Sequence, residues 1–167
     1  DLDGARQRLA DAARAVGAAR RRAAPRLAAE VQSHLGSLAL EAARVEVSVG
    51  DDPGDDVAIL LAADPGSPLR PLARAASGGE LSRVMLALRL VVADAPATLI
   101  FDEVDAGVGG AAAAAVGAAL ARVAERHQVL VVTHLAQVAA AADHQVVVHK
   151  DVEGSRAATS VTAVTDD

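Results

Sequence analysis

The stretch that most constrains this chain is Leu99-Ile100-Phe101-Asp102-Glu103. A short apolar run that closes on two carboxylates reads as a buried parallel strand with its acids at the C-terminal edge. In open α/β sheets that edge is where ligands bind. Taken alone, the pair is explained as well by a strand end whose acids are solvated. The choice therefore rests on what surrounds it.

The 167 residues suffice for one domain, and 52% apolar with 23% charged residues is a globular composition. Most of the apolar content is Ala and Val, and Phe101 is the only aromatic residue. Small side chains bury little area each, so we expect modest stability or a partner over an apolar face. The absence of Cys excludes a disulfide framework and a thiolate metal site. There is no apolar run of about 18 residues and no visible signal peptide, which predicts a cytoplasmic chain without a membrane partner. The first residue is Asp1 rather than Met, which suggests a piece of a longer protein. Net charge is −6, but residues 1–30 hold seven Arg against four acids, a net of +3 that leaves −9 for the rest. A basic helical arm on an acidic body is compatible with DNA contact, although Arg20-Arg21-Arg22 is read more simply as a solvated helix face.

Along the chain, Leu2, Leu9, Val16 and Ala23 share one heptad position, with Ala5, Ala12 and Ala19 three residues later. This predicts a coiled-coil seam, weakened by Gly4 and Gly17. Pro25 predicts a kink or break before a second helical rhythm through Leu27, Val31, Leu35 and Leu38. Val45, Val47 and Val49 alternate with polar residues as a half-exposed strand. The turn chemistry of 51–54 hairpins it to a second strand, Val57 to Ala62. The Pro-rich stretch to Pro71 predicts an irregular loop. Ser77 and Glu80 fit a capping box, so a helix starts there, and Ala95-Pro96 closes the segment that follows. A Gly-rich turn through Gly110 then leads to a helix over about 111–126. Next come a strand from Gln128 to Thr133, a short helix from Leu135 to Ala142, and strands at 145–149 and 159–164. Strand–helix alternation after residue 98 predicts an α/β fold with parallel pairing.

Ser77-Gly78-Gly79 sets two residues without side chains at a helix N-terminus. Unpaired N–H groups and the positive dipole end favour a phosphate there, although plain capping explains most such matches. If the strand stays extended to its end, Asp102 and Glu103 face opposite sides. One acid would then serve Mg²⁺ while the other orients or deprotonates a water. His134, ending the neighbouring strand, is within reach of the same edge. Five His with no H-x-x-x-H spacing make a zinc site a poor fit.

The combination is far more specific than its parts. Ser-Gly-Gly-Glu, an apolar run with Asp-Glu about 25 residues on, and Thr-His about 30 further resemble the head of an ABC-type ATPase. Asp102-Glu103-Val104-Asp105 is similar to the SMC branch. Three longer stretches, 76–87, 101–110 and 132–139, resemble the RecN family of bacterial SMC-like ATPases of double-strand-break repair and recombination. The resemblance implies that residues 1–41 are a coiled-coil end with a lead-in helix. It implies that 42–167 are the C-terminal lobe of a P-loop head. Ser77, Gly78, Gly79 and Glu80 would be the signature motif and contact ATP. Asp102 would hold Mg²⁺, Glu103 would be the base, Asp105 the D-loop acid that also contacts ATP, and His134 the catalytic switch histidine.

Such an ATPase needs a Walker A loop, G-x-x-x-x-G-K-[ST], and this sequence has none, its only Lys being Lys150. The resemblance therefore implies an N-terminal lobe that supplies Walker A and a second head that sandwiches ATP. Ser77 and Gly79 would then act across the dimer, and Asp102, Glu103 and His134 within the head. It also implies DNA contact by the complete protein and a nucleoid-associated location. The alternative is a non-catalytic coiled-coil docking module with idle nucleotide motifs.

Overall fold

The structure is a computed structural model that describes residues 1–92, 97–153 and 156–164. Its longest element is α1, Leu2–Leu35, capped by the Asp1 carboxylate, which accepts from the Asp3 N–H at 3.1 Å. Contrary to expectation, α1 is assigned as helix straight through Pro25. Proline removes one helix hydrogen bond at a cost of about 3 kcal/mol. That cost is offset by packing, because Ala24, Val31 and Leu35 are buried on the side of α1 that meets the body. The predicted seam residues lie one position away from this stripe, and Leu9 is 72% exposed. Helix α1 thus carries two stripes, one facing the body and one uncovered.

After a short 3₁₀ turn, β1 (Arg44–Val49) and β2 (Val57–Ala62) form the expected antiparallel hairpin, with Val45 opposite Leu61 and Val47 opposite Ile59. The Pro-rich stretch is less irregular than expected. It ends in a two-residue strand β3 (Arg70–Pro71) on β2, followed by one helical turn, α2 (Leu72–Ala75). The hairpin turn folds back onto α1. Arg20 donates to the Gly54 carbonyl at 2.9 Å and pairs with Asp55. Arg21 donates to the Gly50 carbonyl at 2.9 Å and pairs with Asp52. Neither reading of the arginine triplet anticipated this, since two of its three members fasten the arm to the body. The seat is made by Gly17, whose backbone lies so close to Pro53 that a Cβ would collide with the proline carbonyl.

Helix α3 (Gly78–Val91) begins at Ser77 as predicted and packs on α1. Strand β4 (Thr98–Phe101) pairs in parallel with β5 (Gln128–Val131) across the connection that contains α4 (Gly110–Ala124). The predicted helix after His134 is only α5 (Ala136–Ala139). Strands β6 (Gln145–Glu153) and β7 (Arg156–Val164) form an antiparallel hairpin. Parallel pairing among the described residues is therefore confined to β4 and β5. Ala95-Pro96 lies outside the described residues. No helix among those described is long and apolar enough to cross a membrane.

The core joins the end of α1 (Val31, Leu35) to Leu61, to Val84 and Leu86 of α3, to Leu99 and Phe101 of β4, and to Val116 and Leu120 of α4. Alternation along β4 buries Leu99 and Phe101 and leaves Ile100 71% exposed, beside the exposed Leu130 and Val132. One face of the parallel pair is therefore apolar and uncovered.

The seat at Gly17 is testable. Gly17→Ala should destabilise the chain by about 1–3 kcal/mol, because the added methyl meets backbone. Gly4→Ala, with only ordinary contacts around it, should be neutral or stabilise by a few tenths up to about 1 kcal/mol through helix propensity. Urea unfolding of both variants distinguishes a steric seat from a simple helix-propensity effect.

Candidate nucleotide-contact site

The N-terminus of α3 is built by a reciprocal cap. The Ser77 hydroxyl accepts from the Glu80 N–H at 3.4 Å, and the Glu80 carboxylate accepts from the Ser77 N–H at 2.7 Å. Glu80 therefore uses its side chain on the cap. Gly78 and Gly79 are the first two helical residues, where N–H groups have no partner within the helix.

Strand β4 stops at Phe101, one residue before the acid pair. Extended geometry does not continue, so the expectation that Asp102 and Glu103 face opposite sides of a strand is corrected. Glu103 adopts φ +56°, a left-handed conformation uncommon for a residue with a side chain. Two hydrogen bonds surround this turn. The Asp102 carboxylate accepts from the Glu103 N–H at 2.9 Å, and the Ser82 hydroxyl donates to the Asp102 carbonyl at 2.7 Å. The consequence is that the Glu103 carboxylate lies against Gly78, where any Cβ would collide with it. The atom such a Cβ would meet is the movable end of the Glu103 side chain, and that carboxylate sits beside the dipole end that favours anions.

Asp105 is 2% exposed. Its carboxylate accepts from the Thr133 hydroxyl and from the His134 N–H at 3.1 Å, and the His134 Nδ1 lies 3.3 Å from the same oxygen. Burial, the largest influence, pushes its pKa up. The hydrogen bonds from Thr133, from the His134 backbone and from its own N–H, together with the His134 charge, outweigh burial and hold the carboxyl below the ordinary range. Asp105 therefore ties the loop after β4 to the end of β5. The β-ladder prepares that contact, since the Val132 N–H donates to the Phe101 carbonyl at 3.0 Å.

Gly79 sits where α3 meets this loop. A Cβ there would lie 2.8 Å from the Ala106 Cβ and 2.9 Å from its carbonyl oxygen. Arg83, one turn on, donates to the Ala106 carbonyl at 2.7 Å and to the Val104 carbonyl at 3.5 Å. Burial draws its pKa below the usual guanidinium value, and the nearby Glu80 opposes that shift. All eight residues singled out by sequence (Ser77, Gly78, Gly79, Glu80, Asp102, Glu103, Asp105 and His134) are thereby drawn to one loop and the two element ends that hold it. The sequence reading missed Ser82, Arg83 and Thr133. Each stands inside a motif, but none has a composition or spacing signal that separates a loop fastener from a solvated polar residue.

Among the described residues no group of three or more acidic or imidazole ligands is poised for a metal ion. The Asp102 carboxylate is exposed and accepts one hydrogen bond, from the Glu103 N–H, which leaves its other oxygen for a cation such as Mg²⁺ that takes one or two carboxylates plus substrate phosphates. The start of α3 carries unpaired N–H groups but faces the Glu103 carboxylate, and nothing corresponding to a Walker A cradle is in the sequence.

No protein-family model matches the chain. The DNA repair protein RecN of Streptomyces coelicolor is 48% identical over 175 residues, covering 93% of this chain. That of Deinococcus radiodurans is 45% identical over 174 residues, covering 100%. The chain is similar along its length to a segment of these two proteins. It spans 31% of the length of each of these two relatives. Among solved structures, the Smc head domain with a coiled coil and joint from Pyrococcus yayanosii matches with a TM-score of 0.61 at 19% identity, over 83% of this chain and 26% of that one. The Smc head domain with an extended coiled coil from Pyrococcus furiosus matches with a TM-score of 0.56 at 17% identity, over 82% and 34%. The fold is that of an SMC head lobe with a leading helix. The RecN-like motifs at 76–87 and 101–110 coincide with the α3 cap and the loop after β4.

Asp105 gives this site a pH signature. A carboxyl whose pKa is lowered on folding contributes stability that is present above its unfolded pKa of about 3.9 and lost as pH falls through the folded value. Asp105→Asn should reduce stability at neutral pH and flatten the acid limb below about pH 4, as read by urea midpoints between pH 7 and pH 2.5. An unchanged acid limb would mean that Asp105 does not carry this linkage.

Proposed function

We propose that the chain is the C-terminal lobe of an ATP-hydrolysing head in a RecN-like, SMC-type ATPase of DNA repair and recombination. Residues 1–41 would be its coiled-coil arm and 42–167 its catalytic lobe. The observation that carries this reading is the single loop after β4. It carries Asp102 and Glu103, sets the Glu103 carboxylate beside the helix start at Gly78, and holds His134 through Asp105.

In the proposed reaction Asp102 contributes a Mg²⁺ ligand, and the ion when bound draws charge from the terminal phosphates. Glu103, held beside Gly78 at the start of α3, takes a proton from the attacking water. His134, with Nδ1 held beside Asp105, presents its other nitrogen to a γ-phosphate oxygen. Asp105 acts by fixing His134 rather than by touching ATP, because its carboxylate is buried and satisfied. Ser77, Gly78 and Gly79 offer helix N–H groups to the nucleotide of a second head, and Glu80 keeps that helix start capped. An N-terminal lobe of the same protein supplies Walker A and covers the apolar face of Ile100, Leu130 and Val132. The assembled protein meets DNA and is cytoplasmic and nucleoid-associated.

A docking-module reading has one observation in its favour. Glu103 already fills the anion-favouring start of α3, and the chain has no phosphate cradle of its own. The two readings separate in a mixing experiment. The isolated chain should hydrolyse no ATP, whereas adding a separately made N-terminal lobe with Walker A should produce turnover. Glu103→Gln should lower that turnover by about a hundredfold or more. An associated but inactive mixture would favour the docking module.

A further inference from the structure

Arg83 is 5% exposed, and its Nε is buried without a hydrogen-bond partner among the described residues. No carboxylate lies within ion-pair distance of it there. Burying a guanidinium this way is costly, and a Met or Leu of similar volume would fill the site without that cost. What the arginine reaches is specific: the carbonyls of Val104 and Ala106, the residues on either side of Asp105. Its neighbour Ser82 reaches the carbonyl of Asp102, immediately before Glu103. Adjacent residues on α3 therefore hold the loop at both ends of the Glu103 turn. Glu103 keeps a left-handed backbone, which persists only where surrounding contacts impose it.

We propose that Ser82 and Arg83 are positioning residues that hold the 102–106 loop on α3 so that Glu103 keeps its left-handed turn and its carboxylate stays at the helix start. The inference rests on the reading of Glu103 as the base. Neither side chain touches the nucleotide. They act through the backbone, so their removal displaces the base while leaving substrate affinity in place. Both Arg83 hydrogen bonds leave one terminal nitrogen, Nη1, the shorter of them to Ala106.

The test is steady-state ATP hydrolysis by this chain assembled with its N-terminal lobe, with melting temperatures measured beside it. Ser82→Ala and Arg83→Met should each lower kcat by about tenfold or more, because displacement of about 1 Å at a reacting group costs up to about a hundredfold. KM for ATP should stay within about twofold. Ser82→Thr, which keeps the hydroxyl, should restore kcat. Wild-type kcat in Ser82→Ala beside an inactive Glu103→Gln overturns the positioning role and leaves the base assignment standing. Wild-type kcat in Glu103→Gln overturns both. Loss of kcat that follows melting temperature, with no rescue by Ser82→Thr, reduces the pair to structural residues and also overturns the proposal. Should Arg83→Met fail to fold, Ser82→Ala and Ser82→Thr decide the matter alone.

Discussion

A buried carboxylate must be satisfied by hydrogen bonds, and the way Asp105 meets that requirement organises the rest of this lobe. Its oxygen gathers the Thr133 hydroxyl and the His134 N–H. The loop leaving β4 is thereby bound to the chain leaving β5. From the opposite side α3 holds the same loop through Ser82 and Arg83. Three segments far apart in sequence meet at five residues, 102–106, and every candidate site residue belongs to one of them. The parallel ladder between β4 and β5 sets the distance that Asp105 bridges, so the site's geometry follows from sheet register as much as from side-chain chemistry.

The second organising element is α1. It packs on β1 and on α3, and the turn after β1 is seated on it at Gly17 and fastened by Arg20 and Arg21. Surface ion pairs of this kind contribute little singly. Here two of them accompany hydrogen bonds to backbone carbonyls and a backbone contact that only glycine permits. Helix α1 thus supports both the hairpin turn and α3. The residues that leave the body bare are equally informative. Ile100, Leu130 and Val132 present an apolar strand face, and Leu2, Leu9 and Val16 an apolar seam.

Much of this was legible in the sequence. The Ser77–Glu80 box set the start of α3 because capping depends on local spacing. Val45 to Val49 read correctly because a half-exposed strand leaves a period-two trace, and Val57 to Ala62 because a short apolar run follows strong turn chemistry. The acid pair and His134 were found through their spacing from Ser77-Gly78-Gly79-Glu80 and the family resemblance that this combination carries, since each alone reads as an ordinary strand end. The rest depended on contacts between distant segments. Pro25 was expected to break α1, and the packing of Ala24 and Val31 overrides it. Gly17 was counted against the helix, although its role is to admit Pro53. The Glu103 turn was invisible, since left-handed geometry at a non-glycine residue is imposed by neighbours rather than preferred. Arg83 resembled any polar residue in an amphipathic helix.

The central claim is that Asp105 and Thr133 couple the loop after β4 to the end of β5, and a double-mutant cycle on unfolding free energy tests it most directly. Asp105→Ala, Thr133→Val and the double variant should show a coupling of about 1.5–3 kcal/mol at pH 7, as for a hydrogen bond to a charged group. Losses that add within about 0.5 kcal/mol would contradict the account, because the two segments would then be held together by something else.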